Sequence, residues 1–262
     1  MRKIFAAAVV MAGVMAGVGR AAFGEATVSA AISLKPALDE AKPLLEKAAG
    51  TSVSFNYGAS GTLANQIRQG APVDLFLSAD RATAQKLVDS GDGDARTMAV
   101  IATGQMVLVV PADNPSKITG FGDLAAKAKK VAIGEPKVVP AGAYAKETLT
   151  ALKLWDGLDK GGKLVMGENV AQVLAFASRG EVDAALVYAT DAKSAGEKVK
   201  VVATAPGDSH DAIEYLGVVP KDAPDAQVGA ALEKEMGSAE VRAIFAKHGF
   251  GAAAEKGAIG GR

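Results

Sequence analysis

Short apolar runs alternate along the chain with longer segments that have helical spacing of apolar residues. Residues 73–77 and 184–188 are nearly continuous apolar runs, typical of parallel strands buried on both faces. Residues 34–49 and 81–89 repeat apolar positions every three or four residues, as helices do. The alternation predicts an α/β fold with mainly parallel sheets. Pro43 is expected to kink or split the first helix.

The first residues predict an export signal. Arg2 and Lys3 precede an uncharged apolar run over residues 4–19, and Ala22 and Gly24 place small residues where a signal peptidase cuts. We therefore predict a signal peptide over residues 1–24, cleaved after Gly24, and export of the mature chain; the family resemblance given below implies that its destination is the periplasm. An uncleaved membrane anchor would need a longer span with fewer glycines.

Charge and cysteine content exclude several classes of function. The chain has 29 basic and 29 acidic residues, and loss of the three basic residues in the signal leaves the mature chain at about −3. A mildly acidic chain without a basic patch is a poor nucleic-acid binder. The absence of cysteine excludes disulfides, thiolate nucleophiles and cysteine-bound metals.

Two breaks in the pattern suggest two lobes. Residues 110–115 are rich in Pro and Asn, and residues 206–211 form a second polar break. If the chain crosses from one lobe to the other near each break, lobe 1 comprises residues 25–106 and 214–262, and lobe 2 comprises residues 107–213. Each lobe is expected to be a mainly parallel sheet flanked by helices, and ligands of such sheets bind beyond the carboxyl ends of the strands; a ligand site in the cleft between the lobes is implied by the family resemblance given below.

Four predicted strands end at small or polar residues that open helices. Ser33, Ser60, Ala141 and Val170 each stand at such a start, where backbone N–H groups lack acceptors and carry partial positive charge. Together they favour an anion site. For the serines and for Asn169 a plain role as helix N-caps stays open, but Ala141 cannot act as a cap.

Tyr188 is a further candidate for the anion site. The sequence motifs give little support for an enzyme. Tyr188 ends a buried strand and can either aim a neutral donor into the cleft or lie at the edge of the core. His210 and His248 lack metal-ligand spacing, and residues 58–62 lack the final glycine of a nucleophile elbow.

The chain resembles the molybdate-binding periplasmic proteins, the solute receptors of molybdate ABC transporters. The resemblance covers nearly all of the mature chain. It is carried by AAISL at 30–34, GASGTLA at 58–64, GAPVDLFLSAD at 70–80, GEPKVVPAGAYAK at 134–146 and LVYATDA at 186–192.

The resemblance implies a two-lobed periplasmic binding protein of type II. It implies that Ser33 and Ser60 offer hydroxyl and backbone N–H groups, Ala141 and Val170 offer N–H groups, and Tyr188 offers its hydroxyl. The ligand would be the oxyanion molybdate or tungstate, not a bare metal cation, with no cofactor and no catalytic residue. The partner would be the membrane permease of an ABC transporter, and the receptor itself a monomer.

The chain departs from the family pattern at two positions beside these donors. Ile32 replaces the usual alanine before the first serine, and Gly61 replaces a common serine after the second. Two alternatives stay open: a receptor for another tetrahedral oxyanion such as sulfate or phosphate, or a secreted enzyme that uses the same cleft.

Overall fold

The computed structural model describes residues 24–253. The predicted signal peptide, apart from Gly24, and residues 254–262 lie outside the described residues. Within the described part of the chain, no helix is long and apolar enough to span a membrane.

Ten strands and ten α-helices alternate along the described chain. The strands are β1 (Ala26–Ala31), β2 (Val53–Gly58), β3 (Leu75–Ser78), β4 (Ala99–Thr103), β5 (Met106–Pro111), β6 (Val131–Gly134), β7 (Leu164–Gly167), β8 (Ala184–Tyr188), β9 (Val199–Thr204) and β10 (Glu214–Val218). The helices are α1 (Lys35–Ala49), α2 (Ser60–Arg68), α3 (Arg81–Asp89), α4 (Leu124–Lys127), α5 (Pro140–Ala151), α6 (Trp155–Lys160), α7 (Val170–Ser178), α8 (Ala189–Ala195), α9 (Ala226–Met236) and α10 (Ala239–Lys247).

The strands form two five-stranded sheets of the same design. Their orders are β2-β1-β3-β10-β4 and β7-β6-β8-β5-β9. In each sheet four strands run in one direction, and the fourth strand in the order, β10 or β5, is antiparallel to both of its neighbours. The expected two-lobed α/β fold is thus confirmed, with one reversed strand in each sheet.

The chain crosses between the sheets twice. It leaves the first sheet after Thr103, enters the second at Met106, and returns between Thr204 and Glu214. Met106 therefore belongs to the second sheet, although the predicted lobe 1 included it. The Pro- and Asn-rich segment at 110–115 is not a crossing, because it begins inside β5 and leads to β6 of the same sheet.

Some local expectations were wrong. Helix α1 runs unbroken through Pro43, so this proline does not split it. The predicted pattern also missed β4 and the short helices α4, α6 and α8. The bounds of α3 agree with the prediction, and the Asp80 side chain caps this helix by accepting the N–H of Thr83.

Candidate functional site

The five predicted residues lie at or just beyond the carboxyl ends of β1, β2, β6, β7 and β8, and they meet in one place. Ser33 lies in a 3-10 turn (Ile32–Leu34) directly after β1, and Ser60 is the first residue of α2, which follows β2. Ala141 is the second residue of α5, Val170 is the first residue of α7, and Tyr188 ends β8. The first two belong to the first sheet's lobe and the other three to the second.

These five residues line one cavity between the lobes. All of them are at most 4% exposed, and the cavity is small, at about 10 Å³. That is room for about one water molecule. The other lining residues are Ala31, Ile32, Gly58, Ala59, Ala79, Val139 and Pro140.

The helix starts around the cavity leave backbone donors without acceptors. Ser60, Ala141 and Val170 stand in the first turns of their helices, where N–H groups have no acceptor within the helix. The partial positive charge of each helix start points at the same space. The arrangement can therefore hold an anion with several N–H groups from both lobes.

The structure separates true helix caps from free donors. Asn169 is a cap, because its Oδ1 accepts the N–H of Gln172 at 3.0 Å. Neither serine has this role: the Ser60 hydroxyl oxygen accepts the N–H of Ala79 at 3.0 Å, and α2 has no side-chain cap.

The Ser33 hydroxyl is buried and has no hydrogen-bond partner among the described residues. The Tyr215 hydroxyl lies close enough to interact with the hydroxyls of both Ser33 and Thr190, although none of the three completes a hydrogen bond of full geometry. Leaving such a buried group unsatisfied costs about 1–3 kcal/mol, and native structures keep few of them. A ligand in the cavity would satisfy Ser33.

Tyr188 supplies a neutral hydroxyl at the boundary of the lobes. Its O–H donates to the carbonyl oxygen of Ala79 over a long 3.4 Å, and its ring packs between those of Tyr144 and Tyr215. Burial raises the pKa of Tyr188 well above its usual range, so the hydroxyl keeps its proton.

No charged side chain lines the cavity in the described structure. Lys137 is exposed, and the ammonium group of Lys146 lies over the Trp155 ring, 5.1 Å from its centroid. The carboxylate of Asp191 accepts the N–H of Tyr188 at 3.2 Å, and burial raises the pKa of Asp191 to about 7. Any anion held here would thus be held by neutral donors.

Ala79 also lines the cavity, although the sequence analysis did not name it as a site residue. Ala79 follows β3 and links both lobes, since its N–H contacts Ser60 and its carbonyl contacts Tyr188. The strand-end pattern that pointed to Ser33 could also have pointed to Ala79. Ile32 lines the cavity itself and not only its surroundings.

Glycines explain the approach of α5 to the second sheet. A Cβ at Gly142 would lie 2.1 Å from the carbonyl oxygen of Gly134, the last residue of β6. Gly142 therefore serves the packing of the helix start on the strand, whereas Ala141 faces the cavity. Neither His210 nor His248 lines the cavity, and the described residues hold no cluster of metal-ligating side chains.

Comparison with known proteins agrees with the fold. Residues 26–251 match the family of bacterial extracellular solute-binding proteins. The chain belongs to this family. It is 37% identical to the molybdate-binding protein ModA of Escherichia coli (strain K12) over 242 residues, which cover 90% of this chain and 92% of that protein.

Solved structures of proteins named for binding different anions share this fold. The periplasmic molybdate-binding protein of Azotobacter vinelandii has a TM-score of 0.76 at 23% identity, covering 86% of this chain and 98% of that one. The sulfate-binding protein SubI of Mycobacterium tuberculosis H37Rv has a TM-score of 0.72 at 19% identity, covering 86% of each chain. The fold alone therefore does not select the anion.

Proposed function

We propose that the protein is a periplasmic receptor that binds molybdate, and tungstate almost equally, and delivers it to the permease of an ABC transporter. The ligand sits in the cavity between the lobes, held by Ser33, Ser60, Ala141, Val170 and Tyr188. The signal peptide directs export, and the receptor acts as a monomer without catalysing a reaction.

The observation that carries the proposal is the unpartnered Ser33 hydroxyl in a buried cavity lined by three helix starts and no charged side chain. Hydrogen bonds to a charged group contribute about 1.5–3 kcal/mol each, so several neutral donors can hold a dianion. A buried counter-charge is not required, and its absence eases release, because no desolvated ion pair has to be broken.

Molybdate is favoured over other tetrahedral dianions by similarity. The 37% identity to the E. coli molybdate-binding protein extends over nearly the whole chain, whereas the likeness to a sulfate-binding protein is one of fold. Sulfate has the same shape and charge but is smaller, so cavity size has to provide the discrimination. Molybdate and tungstate are nearly equal in size.

A titration of the mature protein with molybdate, tungstate, sulfate and phosphate tests the proposal. Calorimetry gives each Kd, and the melting temperature gives an independent measure, since a ligand at 100 times its Kd adds about 2.7 kcal/mol of stability. We expect molybdate and tungstate to bind and the other two to have no effect. Equal binding of sulfate would favour the receptor for another oxyanion, and no response to any anion would refute the site.

A further inference from the structure

Three buried hydroxyl groups meet beside the cavity, and the Ser33 hydroxyl is one of them. The other two belong to Tyr215 on β10 and Thr190 on α8, and neither has a hydrogen-bond partner within the described residues. The Tyr215 hydroxyl lies between the other two, close enough to interact with both. Ser33 and Tyr215 come from lobe 1 and Thr190 from lobe 2, so this hydroxyl cluster spans the two lobes.

The ring of Tyr215 holds its hydroxyl in the cluster. Tyr215 is fully buried, and its ring centroid lies 5.0 Å from that of Phe250 and 5.7 Å from that of Tyr188. Where the chain crosses between the lobes, a Cβ at Gly104 would lie 3.1 Å from the ring and 3.6 Å from the hydroxyl oxygen. Burial raises the pKa of Tyr215 well above its usual range, so the hydroxyl keeps its proton.

The number of protons limits what each hydroxyl can do. A hydroxyl donates one proton and accepts through its lone pairs. A fully ionised oxyanion has only acceptors, so the Ser33 hydroxyl can bind one only by donating its single proton. Any hydrogen bond between Ser33 and Tyr215 in the occupied site must then be donated by Tyr215.

Ser60 shows the same arrangement with a backbone donor. Its hydroxyl oxygen accepts the N–H of Ala79 at 3.0 Å, which leaves its proton for the cavity. No N–H group of the described residues reaches the Ser33 hydroxyl oxygen, and the hydroxyl of Tyr215 is the donor beside it. A hydroxyl that accepts one bond becomes a stronger donor in the next, because hydrogen bonds in a chain polarise one another.

We propose that Tyr215 is a positioning residue that donates its O–H to Ser33 and thereby directs the Ser33 proton to the bound oxyanion. Thr190 donates to Tyr215 in turn, so the three protons point one way, from lobe 2 through Tyr215 to the ligand. The bonds complete when the anion takes the Ser33 proton. The inference rests on the proposed function, since it needs an oxyanion in the cavity, but not on which oxyanion it is.

The substitution Tyr215→Phe removes the hydroxyl and keeps the ring. In calorimetric titrations with whichever of the four anions binds the wild type most tightly, the Kd should rise about two- to tenfold, the usual effect of one hydrogen bond. In a Ser33→Ala background the same substitution should change the Kd less than about twofold, since no Ser33 proton remains to be directed. A merely structural role of Tyr215 would not produce this coupling.

Tyr144→Phe is the matched control. Tyr144 is also buried, and its ring also packs edge-on against that of Tyr188, with centroids 6.5 Å apart. Its hydroxyl, however, approaches the carbonyl oxygen of Ala212 at 3.5 Å, away from Ser33. The Kd of this variant should stay within about twofold of the wild type.

Thr190→Val tests the far end of the cluster and does not depend on the folding of Tyr215→Phe. It should raise the Kd by a smaller factor than Tyr215→Phe, and only while the Ser33 hydroxyl is present. The melting temperature of each ligand-free variant shows that it folds. If Tyr215→Phe does not fold, an unchanged Kd in Thr190→Val would refute the ordered cluster.

The sign and the coupling of the effect decide the inference. A lower Kd in Tyr215→Phe would mean that Tyr215 takes the Ser33 proton and competes with the anion, which contradicts the proposed direction. An equal loss of affinity with and without the Ser33 hydroxyl would give Tyr215 a packing role instead. If the wild type binds none of the anions, the proposed function fails and the inference fails with it; equal binding by the wild type and Tyr215→Phe refutes the inference alone.

Discussion

The substitution Ser33→Ala should move affinity and stability in opposite directions. Ser33 is 4% exposed, and its hydroxyl has no hydrogen-bond partner within the described structure. Removing it takes away one donor to the bound dianion, worth about 1.5–3 kcal/mol. The Kd for molybdate should therefore rise roughly 10- to 150-fold.

The same change should stabilise the ligand-free protein. An unsatisfied buried hydroxyl costs about 1–3 kcal/mol, and alanine removes this cost while leaving the Cβ in place. For a chain of this size, each kcal/mol raises the melting temperature by about 2–4 °C. Calorimetric titration and thermal unfolding without ligand measure the two effects separately.

Two further serines provide the comparison. Ser60→Ala should lose affinity too but also lose stability, since the N–H of Ala79 is left without its acceptor. Ser54→Ala is the control: its hydroxyl contacts the carbonyl oxygen of Ala26 away from the cavity, so the Kd should not change. An unchanged Kd in Ser33→Ala would place the site elsewhere, and a lower ligand-free melting temperature would mean that the hydroxyl has a structural partner.

Three other changes test the surroundings of the cavity. Asp191→Asn should raise the melting temperature at pH 8 but change it little near pH 4. Folding raises the pKa of Asp191 from 3.8 to about 7, so the free energy of unfolding of the wild type falls by up to about 4 kcal/mol as the pH rises through this range. A difference between the two proteins that does not depend on pH would contradict this. Ala141→Leu keeps the N–H but fills the cavity, so the Kd for molybdate should rise about tenfold or more in calorimetry, and an unchanged Kd would show that Ala141 does not face the ligand. Gly142→Ala should lower the free energy of unfolding in a denaturant titration by about 1–3 kcal/mol, because its Cβ would lie 2.1 Å from the carbonyl oxygen of Gly134; wild-type stability would refute that packing.

The alternation of apolar runs and helical segments predicted most of the fold, because local pattern and burial agree in this chain. The strand β3 is wholly buried and was visible as an apolar run, and the bounds of α3 follow from the Asp80 cap. Strand β4 was missed because it is only partly buried and its sequence does not alternate. Because β4 was missed, its end at Thr103 could not mark where the chain leaves the first sheet, and the predicted lobe 1 extended to residue 106.

The identity of the free donors could not be predicted from residue type. Ser33 and Asn169 both belong to the residues preferred as N-caps, yet only Asn169 acts as one. The difference lies in what surrounds each side chain after folding. Likewise, the glycine at position 61 appeared as a departure from the family pattern, and its N–H donates to the carbonyl oxygen of Val138, 77 residues along the chain, a contact that the sequence pattern does not reveal.

The cavity's lack of charge has a consequence for release in the proposed mechanism. Backbone N–H groups at the helix starts bind an anion strongly only while water is excluded, since electrostatic interactions weaken in a high dielectric. Closure creates that exclusion by bringing Ser60 of one lobe to Ala141 of the other, and opening reverses it without separating an ion pair. Affinity should then depend on closure more steeply than on any one donor. If so, Ala141→Leu, which keeps every donor but obstructs closure, weakens binding as much as the loss of the Ser33 hydroxyl does; a much smaller effect would show that the donors act independently of closure.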